Sequence, residues 1–417
     1  MFDTVSRLYD SSLHRNAGYM ILRSAVVAML GFVFWNLAAR LYDPAAVGAT
    51  SALVSGMNLL GTLSLLGVTV VLVRYLAQTP GKEALVSASY TLALMIGGVV
   101  SLIFVMGVDF FSPALSEILR GPLALVFLVG VLGSTLRFVL NSCYTAARKT
   151  EYTVLGTLGF TVSKLLFLPL LTSLSVSWIF GSWVIGIIIG VLVLVAFFRR
   201  GVGVGFPLPS LDLGPLRGRL RYALVNHAGS VVLLAGNHLL PILVANLEGV
   251  EATAYFYIPW MIGNMLHQIP LMVSQSFFAE ASAHHSKMSG VWRRSLKLCY
   301  ALAIPASIVL ILGSGFVLRL FGPRYAENST LLLILICLST PMYCFNRIYL
   351  TRKRVENKLG WVLGGHTLVT AVLLGAGIIL LGAVSVTSFG YGLLLGHGSL
   401  ALLGLMETFR SRSKTAA

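Results

Sequence analysis

The sequence predicts an all-α integral membrane protein with about twelve transmembrane helices. Of its 417 residues, 57% are hydrophobic and only 11% are charged, whereas a soluble globular domain carries about 25% charged residues. The mean hydropathy is +0.88. So few charges cannot cover the surface of a water-soluble protein of this size. The composition therefore excludes a soluble enzyme, a nucleic-acid-binding module and a disordered chain.

Apolar runs long enough to cross a bilayer follow one another along the whole chain, separated by short polar breaks. A membrane-spanning helix needs about 20 mainly apolar residues. The runs that meet this need lie at 17–39, 45–73, 84–107, 121–145, 152–173, 175–198, 221–246, 253–277, 295–318, 329–350, 358–381 and 384–408. The breaks between them are too short for a separate soluble domain. The first run is too long for the apolar core of a cleaved signal peptide, so we expect a retained helix.

Basic residues alternate between the two sides of the predicted membrane. The termini and even-numbered loops hold 22 Lys and Arg residues, whereas the odd-numbered loops hold only 4, namely Arg40, Arg120, Arg319 and Arg324. Lys and Arg are retained on the cytoplasmic side during insertion. Both termini are therefore predicted to be cytoplasmic, and most of the net charge of +16 is a topology signal that favours contact with anionic lipid headgroups, not with nucleic acid.

The longest break, residues 199–220, divides the chain into six predicted helices on each side. It begins with a Gly-rich stretch and contains Pro207, Pro209 and Pro215, a composition typical of a linker. The two halves also share a weak sequence similarity, between Ala39-Arg40-Leu41 and Ala245-Asn246-Leu247. The sequence thus predicts two six-helix lobes, 1–198 and 221–417, related as parallel repeats around a central cavity.

Four basic residues fall inside predicted helices. Arg23, Arg137 and Lys164 lie about 9, 12 and 18 Å from the cytoplasmic ends of their helices. Each costs roughly 2.5–3.5 kcal/mol to insert, so such side chains usually face a hydrated interior and have a function. Snorkelling to the headgroups is the alternative for each. Arg347 lies one turn from the predicted end of its helix, and there we expect snorkelling.

No carboxylate accompanies these cations, since every Asp and Glu can be assigned to a loop or a terminus. A pathway for cations would be expected to carry an intramembrane carboxylate. A cavity whose formal charges are Arg and Lys instead suits an anion such as a phosphate or diphosphate, which Arg can grip with two hydrogen bonds.

Uncharged polar residues recur at helical spacing in three predicted helices. They are Ser51, Ser55, Asn58 and Thr62 in the second, Asn226 and Asn237 in the seventh, and Asn264, Gln268 and Gln275 in the eighth. Small polar residues also hold membrane helices together, and this is our interpretation of the Ser and Thr positions. The Asn and Gln faces favour a hydrophilic cavity suited to sugar hydroxyls.

The remaining motifs concern helix packing and cofactor binding. The pairs Gly186/Gly190, Gly360/Gly364 and Gly392/Gly396 have the small-xxx-small spacing of close helix contacts. The four cysteines form no metal motif, and no phosphate-binding Gly-x-x-x-x-Gly-Lys loop is present. The sequence therefore predicts no metal and no cofactor.

Two segments resemble a known family of membrane transporters. Ala39-Arg40-Leu41-Tyr42-Asp43-Pro44-Ala45-Ala46-Val47-Gly48-Ala49 is similar to the hairpin between the first two helices of polysaccharide exporters, and Leu320-Phe321-Gly322-Pro323-Arg324-Tyr325 is similar to the entry to their tenth helix. With its twelve predicted helices, the chain resembles the multidrug/oligosaccharidyl-lipid/polysaccharide (MOP) exporter superfamily, in its O-antigen-type (Wzx-like) flippase branch.

The resemblance implies a non-enzymatic, multi-pass protein of the plasma membrane that moves a polyprenyl-diphosphate-linked glycan to the outer leaflet by alternating access. It implies a role in polysaccharide or lipopolysaccharide biosynthesis, a monomer, and glycan polymerase or glycosyltransferase partners. In lipid-linked-oligosaccharide flippases an arginine of the first helix belongs to a cationic cavity, and Arg23 is the matching position. The predicted substrate-binding residues are Arg23, Arg137, Lys164, Asn58, Asn237, Asn264 and Gln268.

Two other functions stay open at this point. A drug or small-cation exporter of the same superfamily is disfavoured by the missing intramembrane carboxylate. A membrane glycosyltransferase, ligase or prenyltransferase would need acidic or His-rich loop motifs or large outer loops, which this sequence does not offer.

Overall fold

The computed structural model describes residues 2–170, 175–283 and 288–416. Within these ranges it does not describe the side chains of residues 2–18, 20, 21, 25, 225, 226, 228–230, 232–235, 237, 283 and 410–416. The helices are α1 (Phe2–Leu41), α2 (Pro44–Ser64), α3 (Val68–Tyr75), α4 (Lys82–Met106), α5 (Val108–Phe111), α6 (Ser116–Leu119), α7 (Leu123–Ala146), α8 (Glu151–Phe167), α9 (Ser175–Ala196), α10 (Phe198–Val202), α11 (Leu220–Glu248), α12 (Val250–Ala283), α13 (Met288–Leu312), α14 (Ser314–Arg319), α15 (Pro323–Val355), α16 (Leu359–Ile379), α17 (Leu381–Val384) and α18 (Ser388–Ala416).

Helices form nearly all of this chain, and the part that the structure describes contains no strand. Among the described residues, 9 helices are long and apolar enough to cross a membrane, and they coincide with the predicted runs 1–4, 6 and 9–12. The other three runs are also helical, as α8, α11 and α12. The prediction of an all-α membrane protein is confirmed.

The chain divides into two compact units, Met1–Glu251 and Ala252–Ala417. Helix α11 belongs to the first unit because it packs on α2 and α3. Asn246, near its end, holds the turn after α5: its Oδ1 accepts a hydrogen bond from the Ser112 hydroxyl at 3.0 Å, and its Nδ2 donates to the carbonyl of Phe111 at 3.1 Å. The predicted division of the chain into two six-helix repeats, separated by residues 199–220, stays a prediction.

The second predicted run is not one helix. The chain breaks between α2 and α3, where Leu66 and Gly67 have φ values of 44° and 80°. These left-handed conformations cannot continue a right-handed helix. A Cβ atom at Gly67 would lie 2.1 Å from the carbonyl oxygen of Ala223 in α11, so only glycine fits this close approach of two backbones.

Helix α8 is shorter than its predicted run of 152–173, because it ends at Phe167. The backbone carbonyl groups in the last turn of a helix lack partners within the helix. Here two aromatic side chains donate hydrogen bonds to such carbonyl groups. The Trp178 indole donates to the Phe167 carbonyl at 2.8 Å, and the Tyr42 hydroxyl donates to the Leu168 carbonyl at 2.6 Å. Lys164 consequently lies in the last turn of α8 and not in the middle of a longer helix.

Part of the predicted linker is fixed to the first half of α4. The Ser87 hydroxyl donates to the Leu208 carbonyl at 2.5 Å, and the Tyr90 hydroxyl donates to the Pro207 carbonyl at 2.8 Å. The Tyr90 ring also stacks on Phe206 with 5.2 Å between ring centroids. The proline-rich segment is therefore an ordered strap along the first unit.

Two of the three glycine pairs pack as predicted. A Cβ atom at Gly186 would lie 2.6 Å from the Phe160 carbonyl oxygen, and one at Gly392 would lie 2.5 Å from the Leu373 carbonyl oxygen. The prediction is wrong for Gly360 and Gly364, which have no atom within 4 Å of the Cβ position. They line an open cavity of about 250 Å³ instead.

Candidate functional site

Helix α8 contains or contacts all three basic residues that were predicted to bind the substrate. Arg23 reaches it from α1, where its Nε donates to the Thr157 hydroxyl at 3.1 Å. Thr157 precedes Lys164 by seven residues, which is two turns along one face of a helix. The helix therefore carries a contact to Arg23 and the Lys164 side chain on the same side.

Arg137 comes to this face from α7. Its guanidinium carbon lies 4.7 Å from the centroid of Phe160, and the Lys164 ammonium lies 4.7 Å from the centroid of the same ring. Arg137 is within electrostatic reach of both Arg23 and Lys164. The structure thus brings together in the first unit three side chains that the sequence places 114 and 27 residues apart.

Lys164 is enclosed by aromatic rings. Its ammonium lies 3.6 Å from the ring centroid of Trp183 and 4.5 Å from that of Phe34, in addition to its contact with Phe160. The residue is only 2% exposed. The negative faces of aromatic rings attract a cation by about 0.5–2 kcal/mol each, which offsets part of the cost of burying the charge.

The rings of this cage support one another. Trp183 of α9 packs edge-on against Phe34 and Phe160, with ring centroids 5.0 and 5.6 Å apart. Gly186, one turn after Trp183, brings α9 close enough to α8 for a Cβ atom there to lie 3.0 Å from the Lys164 Cβ. The Gly186 contact predicted from the sequence therefore also positions the cage.

No carboxylate pairs with Arg23, Arg137 or Lys164 in the part of the chain that the structure describes. The described ion pairs lie elsewhere, for example Arg120 with Asp109 and Lys353 with Glu407. The Arg137 Nε is buried and has no hydrogen-bond partner within the described ranges. Because a buried donor without a partner costs about 1–3 kcal/mol, this arrangement is suited to an external anion.

The amide residues occupy both units. Asn58 of α2 is partly exposed and lies in the first unit; Asn264 and Gln268 of α12 are partly exposed, one turn apart, in the second. Asn237 lies outside the side chains that the structure describes. Ser51 instead satisfies its own helix, donating to the Gly48 carbonyl at 2.8 Å, in agreement with a packing role.

The aromatic cage was not predicted. Phe160 precedes Lys164 by four residues and so faces the same way on a helix, which is a signal that the sequence carries. Phe34 and Trp183 come from α1 and α9, and no local pattern links them to Lys164.

The sequence itself matches no protein-family model and no curated protein. The structure is similar to a lipid II flippase, MurJ, in an inward-closed conformation, with a TM-score of 0.74 and 13% identity over 93% of this chain and 87% of that chain. It is equally similar to an inward-facing multidrug resistance MATE family transporter of the MOP superfamily, with a TM-score of 0.73 and 16% identity over 95% of this chain and 99% of that one. A MOP superfamily transporter from Pyrococcus furiosus has a TM-score of 0.57 and 13% identity over 97% and 96% of the two chains. The fold of this chain is therefore that of MOP superfamily transporters.

Proposed function

We propose that this protein is a transporter that moves a polyprenyl-diphosphate-linked glycan from the cytoplasmic to the outer leaflet. The observation that carries the proposal is the grouping of Arg23, Arg137 and Lys164 on one face of α8, with no carboxylate partner among the described residues. A diphosphate is the part of such a lipid that carries concentrated negative charge, and Arg matches its oxygens geometrically.

The three cations have different tasks in this proposal. Arg23 and Arg137 are partly exposed, whereas Lys164 is enclosed in its aromatic cage. The diphosphate therefore first meets the two guanidinium groups. Lys164 adds long-range attraction from within the cage and becomes a direct contact only when the cage opens during the transport cycle.

The amide residues are proposed to bind the glycan. Asn58, Asn237, Asn264 and Gln268 each offer a donor and an acceptor, which is what sugar hydroxyls require. The lipid tail remains in the bilayer.

A flipping assay with a matched charge control tests the proposal. Purified protein is reconstituted in vesicles with a fluorescent polyprenyl-diphosphate glycan, and the double variant Arg23→Gln, Arg137→Gln is compared with Arg200→Gln, Arg217→Gln, which removes the same charge from exposed positions. Each lost charged hydrogen bond weakens binding by about 10- to 100-fold. We expect the first variant to lose at least about tenfold in rate at low substrate concentration and the second to keep its rate. Equal rates for both variants would refute the assigned site.

We also propose that the membrane potential drives the transport. An inside-negative potential favours the outward movement of a negative charge by about 2.3 kcal/mol per 100 mV. Imposing such a potential with a potassium gradient and valinomycin should accelerate outward movement, and collapsing it should slow that movement. A rate that ignores the potential but follows a sodium or proton gradient would contradict this mechanism.

Export of a drug or a small cation is the second candidate, because the fold is as similar to a MATE family transporter as to a flippase. Arg23, Arg137 and Lys164 disfavour it, since they repel a cationic substrate. In the Pyrococcus furiosus transporter, too, the polarity of the binding pocket is what suggests a different function. Efflux of a cationic dye from the same vesicles, with no glycan-lipid movement, would make this candidate the better one.

A further inference from the structure

Six polar or aromatic side chains from four helices of the second unit form a group that includes Tyr343 of α15. The His267 ring of α12 stacks on the Tyr343 ring with 4.1 Å between centroids, and the His397 ring of α18 meets it edge-on at 5.1 Å. The Arg347 guanidinium lies 6.0 Å from the same ring. We call this group the Tyr343 cluster; its members are His267, Tyr343, Asn346, Arg347, His366 and His397.

Asn346 connects α15 to α18 through its side-chain amide, but only one of its two polar side-chain atoms takes part. Its Nδ2 donates to the His397 carbonyl at 2.9 Å and lies 3.3 Å from the His397 Nδ1. Its Oδ1 is buried without a hydrogen-bond partner in the part of the chain that the structure describes, although the residue is only 2% exposed. An amide oxygen in this position needs a donor that the described residues do not supply.

Two further buried atoms of the cluster, the Nε2 of His267 and the Nε of Arg347, also lack hydrogen-bond partners among the residues that the structure describes. His267 is 8% exposed. Native proteins leave few buried polar atoms unpaired, because each costs about 1–3 kcal/mol. Three in one cluster indicate a binding site for a molecule that brings the missing partners.

Among the described residues, no carboxylate forms an ion pair with Arg347. It was expected to snorkel from the helix end, but α15 continues to Val355, which places Arg347 about 12 Å from that end. In the described part of the chain the carboxylates near α15 are engaged by other residues: Glu356 pairs with Arg352 and Lys358, and Glu407 pairs with Lys353. Arg347 is within electrostatic reach of the three histidines, and its positive charge, without an ion-pair partner among the described residues, favours an anion.

We infer that the Tyr343 cluster binds a small oxyanion that carries a proton, of the hydrogen-phosphate type. The oxyanion accepts from the Arg347 Nε, its P–OH group donates to the Asn346 Oδ1, and the His267 Nε2 donates or accepts according to its tautomer. An oxyanion without a proton cannot satisfy Asn346. Tyr343, Arg347 and His366 are partly exposed, so the cluster is not sealed. This inference does not rest on the proposed transport function.

Thermal unfolding of the purified full-length protein provides the test, because a ligand that binds only the folded state raises its stability with concentration. The probes are inorganic phosphate, sulfate as an oxyanion without a proton at neutral pH, and short-chain phosphatidic acid as a lipid-borne phosphate. We expect phosphate to stabilise the protein and sulfate to have little effect. Stabilisation by phosphatidic acid alone would assign the same site to a lipid headgroup.

Variants locate the effect. Arg347→Gln should weaken phosphate binding by about 10- to 100-fold, and Arg347→Lys tests whether charge alone suffices if the first variant fails to fold. Arg354→Gln, an exposed charge removal two turns along the same helix, should leave binding unchanged. The inference is overturned if neither phosphate nor phosphatidic acid has an effect, if sulfate stabilises equally, or if Arg137→Gln abolishes the effect while Arg347→Gln does not, since binding would then belong to Arg23, Arg137 and Lys164.

Discussion

Lys164 shows how a single buried charge can be held without a carboxylate. Its ammonium touches the rings of Phe34, Phe160 and Trp183, and these contacts recover only part of the free energy lost when a cation leaves water. A charge kept in the interior at a net cost points to a function, because a hydrophobic residue of similar length would be more stable there.

The variant Lys164→Met separates stability from function. We expect its unfolding temperature to be unchanged or raised, corresponding to about 0–4 kcal/mol of added stability, while the rate of glycan-lipid flipping falls. Differential scanning fluorimetry and the vesicle assay measure the two effects. A destabilised variant that still transports at the normal rate would show that the lysine serves only the structure.

At the scale of elements, the break between α2 and α3 sets the path of α11. Gly67 touches the backbone of Ala223, and beyond the break the Arg74 guanidinium at the end of α3 lies 4.6 Å from the ring centroid of Tyr222. Hydropathy did not predict this break, because the residues around it are as apolar as those of a continuous helix. The break is defined by the left-handed backbone conformation of Leu66 and Gly67. This conformation becomes apparent only in the folded protein, where Gly67 packs against α11.

Gly67→Ala tests the importance of this close approach. The new methyl group would meet the Ala223 carbonyl, so we expect the folded state to lose about 2 kcal/mol or more in stability. Gly203→Ala is the matched control, since Gly203 has a similar φ of 87° but no atom within 4 Å of its Cβ position. Equal losses in thermal stability for both variants would attribute the effect to backbone strain alone.

The ends of α15, α16 and α18 are joined by an ion-pair network. The Lys353 ammonium lies 2.5 Å from the Glu407 carboxylate, and the Lys358 ammonium lies 3.0 Å from the Glu356 carboxylate. Burial raises the pKa of Glu356, but its bonds to Lys358 and Arg352 outweigh burial, and the pKa lies below its ordinary value of 4.5. A carboxylate with a lowered pKa stabilises the fold above its ordinary pKa and loses that contribution as pH falls through the folded value.

Glu356→Gln should therefore reduce stability at neutral pH by about 0.2–1 kcal/mol, and the difference from the unmodified protein should vanish in acid. Unfolding temperatures of both proteins, recorded from neutral pH to below the ordinary pKa of glutamate, measure this. A difference that stays constant across the whole range would mean that the Glu356 charge is not responsible.

At the scale of the whole molecule, the charge asymmetry predicts an orientation. Leu211 in the predicted linker is on the predicted cytoplasmic side, and Glu327 at the start of α15 is on the predicted outer side. Both are exposed, whereas all four native cysteines are buried. In intact cells, a membrane-impermeant maleimide should label Glu327→Cys and spare Leu211→Cys until the membrane is permeabilised. The reverse pattern would invert the topology.

Several parts of the candidate site followed from the sequence. A charged residue in an apolar run has a large insertion cost wherever the helix packs, so Arg137 and Lys164 could be singled out without knowing their neighbours. The Gly186 contact also followed, because its spacing is local. The packing contact predicted for Gly364 was wrong, because Gly360 and Gly364 have the same spacing on α16 but line an open cavity.

The sequence by itself determined that this is a helical membrane protein, where most of its spans lie, and that its buried charges are basic. These properties depend on the transfer free energy of each segment, which is a sum over local residues. Only the tertiary structure decided that Arg23, Arg137 and Lys164 meet at α8, that Lys164 is enclosed by aromatic rings, and that Arg347 lies in one cluster with three histidines. Those contacts join residues far apart in the chain, and their geometry is set by how close neighbouring helices can approach.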